Sequence, residues 1–366
     1  MANKVKIGII GCGNISPVYF KATQRMEVLE LVGCADMVFE RAHARAKEYG
    51  TQAFTVDEML AHPDVQIIIN LTIPAAHGEI GLRAVRAGKS VYNEKPLAAT
   101  REQARDLLDE AAKRGVLVGG APDTFLGAGL QTCRKLIDDG IIGKPIHANA
   151  WFIGGGPEPW HPDPEFFYAP GGGPMFDMGP YYVTALVTLL GAAKRVSGAT
   201  AAAYAERTIG SGAKKGNKIT VQIPTHVTGV IDFEGGAIGT LVASFDAGAG
   251  DLGITIYGTE GTMFVPDPNT FGGPVKVKRK SFKDFAEANL THSYADQSRG
   301  LGVADMAYAL QSGRAHRASG ALAYHVLDVM HAIHDASRDG RHITMTSGIA
   351  RPAPLPTGLR DGLMDE

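Results

Sequence analysis

Side chains that can exchange protons with a substrate stand in two motifs of this chain. The first motif is NEKP at 93–96, in which Lys95 follows an apolar run typical of a buried strand. In an open sheet of parallel strands, ligands bind beyond the carboxyl ends of the strands. Lys95 is therefore a candidate for proton transfer beside a bound ligand, although a solvated lysine on a turn is the more common occurrence.

The second motif is GGGPMFDMGPYY at 171–182. Asp177 and Tyr181 are one helical turn apart in it, so a helix would place both on one face. A carboxylate and a phenol in that arrangement can hydrogen-bond a polyol and take part in proton transfer. A helix start with a capping aspartate also explains Asp177, but it does not explain the adjacent tyrosines Tyr181 and Tyr182.

A glycine-rich segment, GCGNIS at 11–16, lies between the first strand pattern and the first helix pattern. Glycines in such a loop permit a tight turn and a close backbone approach to a pyrophosphate, which the helix N-terminus then meets with free N–H groups. Ser16 replaces the third glycine of the usual pattern and is still small. The segment predicts a dinucleotide site formed by Gly11, Gly13, Asn14 and Ile15.

Asp36 ends the second strand pattern, about twenty residues beyond the glycines, as expected for a carboxylate that binds the adenosine ribose. A carboxylate there hydrogen-bonds the ribose hydroxyls and repels a 2′-phosphate. Met37 supplies no positive charge, although Arg41 is near on the next helix. The sequence therefore favours NAD over NADP.

Alternating strands and helices position these residues over the first 120 residues or so. The apolar runs predict strands at 5–10, 29–35, 65–70, 90–93 and 116–120, and the amphipathic stretches predict helices near 15–25, 40–48, 77–87 and 101–113. Thr100 and Gln103 form a capping-box pattern before the last of these helices. Such alternation indicates a parallel sheet with helices on both faces.

The pattern changes after about residue 123. We expect helices at 126–139, 175–190, 300–312 and 319–338, a strand at 145–153, a loop rich in glycine, proline and aromatics at 154–174, and mostly antiparallel strands to about 280. The chain is thus predicted to have an α/β Rossmann domain at 1–123 and an α+β domain at 124–366.

Composition excludes several classes of protein. The 366 residues carry a formal net charge of −2 without a long run of Lys or Arg, which argues against nucleic-acid binding. No apolar run is long enough to span a bilayer, and the start of the chain enters a strand pattern without a signal peptide. Three cysteines, Cys12, Cys34 and Cys133, favour reduced thiols and a cytoplasmic location.

Taken together, GCGNIS, Asp36, LTIPAAH at 71–77, NEKP and GGGPMFDMGPYY resemble, in this order, the Gfo/Idh/MocA family of sugar and cyclitol oxidoreductases. The resemblance spans nearly the whole chain, including RGLGVADMAYAL at 299–310. It implies that an open, mainly antiparallel sheet forms the second domain. It also implies a sugar, glycoside or cyclitol substrate and a homodimer or homotetramer assembled through that sheet.

The resemblance also implies catalytic roles. Lys95 matches the family lysine that touches the reacting hydroxyl and assists proton transfer, and Asp177 matches the aspartate that binds substrate and orients the catalytic group. Tyr181 stands where many members carry histidine. Because an unperturbed imidazole titrates at about pH 6.5 and a phenol at about 10, Tyr181 acts as a base only beside a positive charge such as Lys95. The base is therefore either Lys95 or Tyr181.

Further binding residues follow from matched positions and from residue types. The resemblance assigns Thr72, Pro74, His77, Glu94 and Lys95 to the nicotinamide half of the cofactor, and Asp123 and Thr124 to the substrate. Trp160 and His161 belong to a proline-rich loop whose aromatic and polar groups suit a sugar face, although a plain surface loop is equally consistent. The prolines break any regular spacing of metal ligands, so no metal is expected.

Three functions fit these motifs. The first is an NAD-dependent dehydrogenase that moves a hydride between a sugar carbinol carbon and the nicotinamide. The second is an NAD-dependent glycosidase, in which transient oxidation is followed by elimination of the aglycone. The third is a non-catalytic NAD-binding regulator, which would not need to keep Lys95 and Asp177.

Overall fold

A computed structural model describes residues 4–365 of the chain. Contacts divide these residues into two compact units. The first unit comprises the described residues up to Ala128, Thr291–Leu327 and the described residues from Pro352, and the second comprises Gly129–Leu290 and Asp328–Arg351. The sequence-based division at 123/124 assigned everything later to the second domain. The first unit instead includes later segments, because Ser319 bridges to Gly119 and Gly362 accepts the Glu27 N–H.

A six-stranded parallel sheet forms the centre of the first unit, as the alternating pattern predicts. Its strands lie in the order β3-β2-β1-β4-β5-β6, which is the Rossmann order. They are β1 (Val5–Ile10), β2 (Leu29–Ala35), β3 (Gln52–Phe54), β4 (Ile67–Asn70), β5 (Ser90–Asn93) and β6 (Val118–Gly120).

Five helices follow these strands: α1 (Ser16–Arg25), α2 (Phe39–Tyr49), α3 (Val56–Ala61), α4 (Pro74–Arg86) and α5 (Arg101–Arg114). A reciprocal capping box precedes α3, where Thr55 and Glu58 each accept the other's backbone N–H. At α5, Thr100 accepts the Gln103 N–H at 3.3 Å, which is one half of the predicted box. Strand β3 and helix α3 were not predicted, because three and six residues are too few to show a period.

A nine-stranded, mostly antiparallel sheet forms the second unit, in the order β16-β15-β14-β13-β7-β12-β11-β8-β17. Only the β7–β12 pair among these neighbours is parallel. The strands are β7 (Pro145–Ile153), β8 (Ala193–Ala201), β11 (His226–Phe233), β12 (Ile238–Ser244), β13 (Asp251–Gly258), β14 (Gly261–Val265), β15 (Val275–Arg279), β16 (Ala286–Ala288) and β17 (Ile343–Thr344). A separate two-stranded sheet pairs β9 (Glu206–Thr208) with β10 (Lys218–Thr220).

Helices cover one face of the nine-stranded sheet and leave the other face open. The second unit begins with α6 (Ala128–Asp138) and contains α7 (Pro174–Asp177) and α8 (Gly179–Leu190), whose residues are all buried. Large apolar side chains on the uncovered face are exposed: Val230 (39%), Ile238 (48%), Tyr257 (37%) and Phe264 (38%). We call these four residues the open-face patch.

The helix predicted at 175–190 is two helices. It is interrupted at Met178 because Pro180 has no N–H with which to continue the hydrogen-bond ladder. The Tyr181 N–H bonds instead to the Met178 carbonyl at 3.0 Å, which tightens the turn. Asp177 therefore ends α7 and Tyr181 lies in the first turn of α8, rather than both lying on one face of a continuous helix.

Two helices close the chain, as predicted: α9 (Leu301–Ser312) in the first unit and α10 (Gly320–Asp339), which runs from the first unit into the second. In the first unit, buried Asp305 of α9 pairs with Arg317 at 2.6 Å and with Arg314 at 2.8 Å. Arg317 also pairs with Asp365 at 2.6 Å, which ties the tail to this unit. Within residues 4–365, no helix combines the length and apolar character that a bilayer crossing requires.

Candidate active site

The predicted cofactor residues and Lys95 meet at the carboxyl edge of the parallel sheet. The glycine-rich loop follows β1, Asp36 follows β2, Thr72 follows β4, and Lys95 comes two residues after β5. Strand β1 lies between β2 and β4, where the direction of strand succession reverses. Ligands of open α/β sheets bind at such a reversal, beyond the carboxyl ends of the strands.

The two glycines of the loop meet different surroundings. Gly11 has φ +104°, and a side chain there would lie 2.5 Å from the Leu71 carbonyl carbon. At Gly13, an added Cβ would meet no atom of residues 4–365 within 4 Å. Packing within the protein therefore requires glycine at position 11, whereas glycine at position 13 leaves open space of the kind that a pyrophosphate needs.

Asp36 is held by backbone donors on both sides of its carboxylate. Oδ2 accepts the Cys12 N–H at 2.8 Å, and Oδ1 accepts the Val38 N–H at 2.8 Å. Each carboxylate oxygen has a further lone pair, and the side chain is half-buried. The carboxylate is thus fixed beside the glycine-rich loop and can still accept two ribose hydroxyls.

Two buried asparagines, which the sequence analysis did not single out, join the ends of β4 and β5. Asn70 Nδ2 donates to Asn93 Oδ1 at 3.0 Å, and Asn93 Nδ2 donates to the Leu97 carbonyl at 2.8 Å. Asn70 Oδ1 accepts the Thr72 hydroxyl at 2.7 Å. The available signal was that two neighbouring apolar strands, IIIN and SVYN, both end in asparagine.

His77 bridges the same two loops from α4. Its Nδ1 lies 2.7 Å from the Pro96 carbonyl oxygen and its Nε2 lies 2.9 Å from the Thr72 carbonyl oxygen. Burial lowers the pKa of His77, which favours the neutral ring. Because a neutral ring carries one N–H, it donates to one carbonyl at a time. Both ring nitrogens face protein backbone, so His77 links the loop after β4 to the turn that carries Lys95.

Glu94 engages both oxygens of its buried carboxylate within the first unit. Oε1 accepts the Tyr19 hydroxyl at 2.7 Å, and Oε2 accepts the Lys95 N–H at 2.9 Å. The Glu94 N–H itself bonds to the Asn70 carbonyl at 2.9 Å. Lys95 is half-buried on this turn. The turn is thus fixed by side chains from α1, β4 and α4.

Asp123 and Thr124 are buried in the first unit. Asp123 Oδ2 accepts the Gly300 N–H at 2.8 Å and the Gly302 N–H at 3.0 Å, which caps the start of α9. Burial raises the pKa of Asp123 to about 6 despite these donors. The oxygen predicted to reach a substrate thus anchors a helix N-terminus in this structure.

Asp177 and Tyr181 belong to the second unit. Asp177 is half-buried and Tyr181 is buried, with 7% of its surface exposed. Beside Asp177, the Phe176 ring packs on His334 with ring centroids 5.4 Å apart. Burial lowers the pKa of His334 to about 4, so this imidazole is neutral near pH 7. The short helix α7 is therefore supported by α10 through aromatic contacts.

The predicted aromatic loop exposes the Trp160 and Phe166 rings and buries residues at its base. Trp160 is 67% exposed, and the His161 ring lies edge-on to it at 5.5 Å. Arg207, which the sequence analysis did not single out, pairs with buried Glu158 at 3.0 Å and with Asp246. These ion pairs fix the start of the loop within the second unit, and the Trp160 side chain extends from the loop into solvent.

Among residues 4–365, no group of three or more His, Cys, Asp or Glu side chains is arranged to hold a metal ion. Cys12, Cys34 and Cys133 are buried free thiols.

Comparisons with known proteins identify the family of both parts of the chain. The model of an oxidoreductase family with an NAD-binding Rossmann fold matches residues 5–120, and the GFO/IDH/MocA C-terminal domain matches residues 130–264. The chain is 29% identical to 1,5-anhydro-D-fructose reductase of Ensifer adhaerens, over 70% of this chain and 74% of the relative. It is 25% identical to scyllo-inositol 2-dehydrogenase (NAD(+)) of Bacillus subtilis, over 72% and 75%.

Solved structures show the same fold. Levoglucosan dehydrogenase in complex with NADH and L-sorbose aligns with a TM-score of 0.81 and 20% identity, over 93% of this chain and 99% of that one. The two family models cover the whole parallel sheet and the strands from β7 into β14. The chain therefore belongs to the GFO/IDH/MocA family of oxidoreductases and carries its NAD-binding Rossmann fold.

Proposed function

We propose that this enzyme transfers a hydride between NAD and a hydroxyl-bearing carbon of a sugar or cyclitol, with Lys95 exchanging the hydroxyl proton. The observation that carries the proposal is the Lys95 turn at the carboxyl edge of the parallel sheet, held by Glu94 and His77. A flexible surface lysine would not need two buried side chains to fix its turn.

NAD fits the residues present in the first unit. Gly13 leaves open space at the N-terminus of α1, and Asp36 presents fixed oxygens beside it. The residues that hold the cofactor are Gly11, Gly13, Asn14, Ile15, Asp36, Thr72 and Pro74, with His77 and Glu94 fixing the loops around it. A carboxylate at position 36 favours NAD over NADP.

The second unit binds the substrate in this proposal. Asp177 and Tyr181 hydrogen-bond its hydroxyls, and Trp160 with His161 contacts a ring face. Relatives named as acting on anhydrofructose, inositols and levoglucosan support a polyhydroxylated ring as the substrate class. Asp123 contributes by placing the start of α9, and substrate binding by Thr124 stays a prediction.

The chemistry divides between cofactor and side chains. Bound NAD accepts or returns the hydride. As the substrate is oxidised, Lys95 Nζ accepts the hydroxyl proton, and in the reverse direction it donates that proton. No separate base for a second C–H bond is assigned, so the proposal contains no elimination step.

We also propose that copies of the chain associate through the open-face patch. Cross-strand register aligns Ile238 with His147 and His147 with Tyr257, so this face carries exposed apolar side chains with polar side chains between them. A sheet face that leaves several large apolar side chains exposed is a candidate interaction surface.

We further propose that the enzyme works in the cytoplasm. Its buried free thiols support a reducing compartment.

The test of the catalytic assignment is Lys95→Ala, assayed with NAD and a panel of sugars, anhydrosugars and cyclitols by NADH absorbance. We expect the rate to fall about a hundredfold or more, as for a lost general acid or base, while NADH affinity stays within about threefold. Tyr181→Phe should raise KM more than it lowers kcat. A near-normal rate for Lys95→Ala would remove Lys95 from the mechanism.

A further inference from the structure

A buried phenol on α1 holds the glutamate next to Lys95. Tyr19 has no exposed surface, and its hydroxyl donates to Glu94 Oε1 at 2.7 Å. Burial and the Glu94 charge raise the pKa of Tyr19, so the phenol keeps its proton and acts as the donor. Glu94 Oε2 is left to accept the Lys95 N–H at 2.9 Å.

This contact joins two parts of the site that are far apart in the chain. Tyr19 lies one turn into α1, the helix that begins directly after the glycine-rich loop. Glu94 directly follows β5 and directly precedes Lys95. One hydrogen bond therefore connects the helix at the cofactor loop with the turn that carries the proton-transfer group.

Loss of the Tyr19 hydroxyl would leave a carboxylate oxygen buried without this donor. A buried acceptor that loses its partner bears a desolvation penalty larger than the net gain of an ordinary hydrogen bond, and the penalty is greater for a charged group. Glu94 would relieve that penalty by turning toward another donor. That change weakens its contact with the Lys95 N–H and loosens the turn.

We propose that Tyr19 is a positioning residue, which acts through Glu94 to hold the turn that carries Lys95 in its reactive position. This inference rests on the proposed role of Lys95. Tyr19 contacts neither substrate nor cofactor in it. Within the cofactor site the phenol bonds to Glu94, which in the proposed function fixes a loop around the cofactor, so we expect cofactor affinity to change little when the hydroxyl is removed.

Tyr92 provides a matched control in the same unit. It is also fully buried, but its hydroxyl has no hydrogen-bond partner among the residues that the structure describes. Tyr92→Phe and Tyr19→Phe remove the same atom from equally buried rings. Only Tyr19→Phe removes a bond to Glu94.

The experiment is a double-mutant cycle between Tyr19→Phe and Lys95→Ala in the full-length enzyme, measured with NAD and the best substrate of the panel. We expect Tyr19→Phe to lower kcat by about 10- to 100-fold, as for a lost hydrogen bond to a charged group, while NADH affinity changes by less than about threefold. In the Lys95→Ala background, Tyr19→Phe should lower kcat by less than about twofold, because Tyr19 and Lys95 act on one step. Tyr92→Phe should keep the wild-type rate.

Two results would overturn the inference: a Tyr19→Phe rate equal to that of Tyr92→Phe, or losses that multiply when Tyr19→Phe and Lys95→Ala are combined. If Tyr19→Phe does not fold, Glu94→Gln takes its place in the cycle, with the same expected loss and the same dependence on Lys95. A wild-type rate for Lys95→Ala alone would refute the proposed role of Lys95 instead, so the two failures are distinguishable.

Discussion

At the residue scale, two glycines of one loop lack a side chain for different reasons. Gly11 has a positive φ and lies against the backbone at Leu71 and Thr72, so its need for glycine is internal to the fold. Gly13 meets open space, so packing within the described residues does not require glycine there, and we expect the requirement to come from the bound cofactor. The sequence pattern gives both glycines the same role, and only the structure distinguishes the reasons for glycine at the two positions.

The two positions therefore respond differently to alanine. Gly13→Ala should fold with an unchanged Tm and bind NADH at least about tenfold more weakly, because the added methyl occupies the space of the pyrophosphate. Gly11→Ala should lower the Tm even without cofactor, because its Cβ would overlap backbone atoms. Thermal unfolding and NADH titration of both variants test this. Equal cofactor affinity for Gly13→Ala and the wild type would contradict it.

Asp36 governs the choice between cofactors. Its oxygens are fixed by the Cys12 and Val38 N–H groups, and a carboxylate so placed repels a 2′-phosphate. We expect the wild type to bind NAD more tightly than NADP. In Asp36→Ser, the ratio of the NADP Kd to the NAD Kd should fall at least about tenfold. Titration calorimetry with both cofactors measures it. Wild-type binding of NADP as tight as that of NAD would refute this role for Asp36.

At the element scale, the periodicity of apolar residues predicts the main strands and helices, whereas single residues such as Pro180 determine where the structure departs from that prediction. The apolar runs predicted the five strands β1, β2, β4, β5 and β6, and glycine-rich GCGNIS together with NEKP identified the loops that follow β1 and β5. The interruption between α7 and α8 was not predicted, although Pro180 was visible, because proline is also common in a first helical turn. Tyr19 and Arg207 act through partners distant in sequence, which no local pattern reveals.

The tail and α9 are held to the first unit by a buried ion-pair network centred on Arg317. Arg317→Met should destabilise this unit by about 3 kcal/mol or more, because it leaves Asp305 buried with one fewer cation. The control is Arg338→Met, which removes the pairs of an exposed arginine with Asp335 and Asp339 and should leave the urea midpoint nearly unchanged. Urea denaturation followed by circular dichroism compares them. Equal midpoints for the two variants would show that the network does not stabilise the unit.

At the scale of the whole molecule, the uncovered face of the nine-stranded sheet leaves the large apolar side chains of the open-face patch exposed to solvent in a single chain. Ile238→Glu places a charge in the open-face patch, where association would have to bury it. We expect light scattering to give an oligomer for the wild type and a smaller species for Ile238→Glu. The control Ile146→Glu changes an isoleucine that is 50% exposed outside the patch and should keep the wild-type mass. A monomeric wild type would refute the proposed interface.

The central claim is that the enzyme catalyses net oxidation or reduction of a polyhydroxylated ring with NAD. The most direct test supplies the purified enzyme with NAD and a panel of cyclitols, anhydrosugars and aryl glycosides, and quantifies NADH and organic product in the same sample. The account predicts one NADH for each ring oxidised, with no deuterium entering from heavy water at the neighbouring carbon during turnover. Release of the aglycone from a glycoside with only catalytic NAD and no net NADH would contradict it.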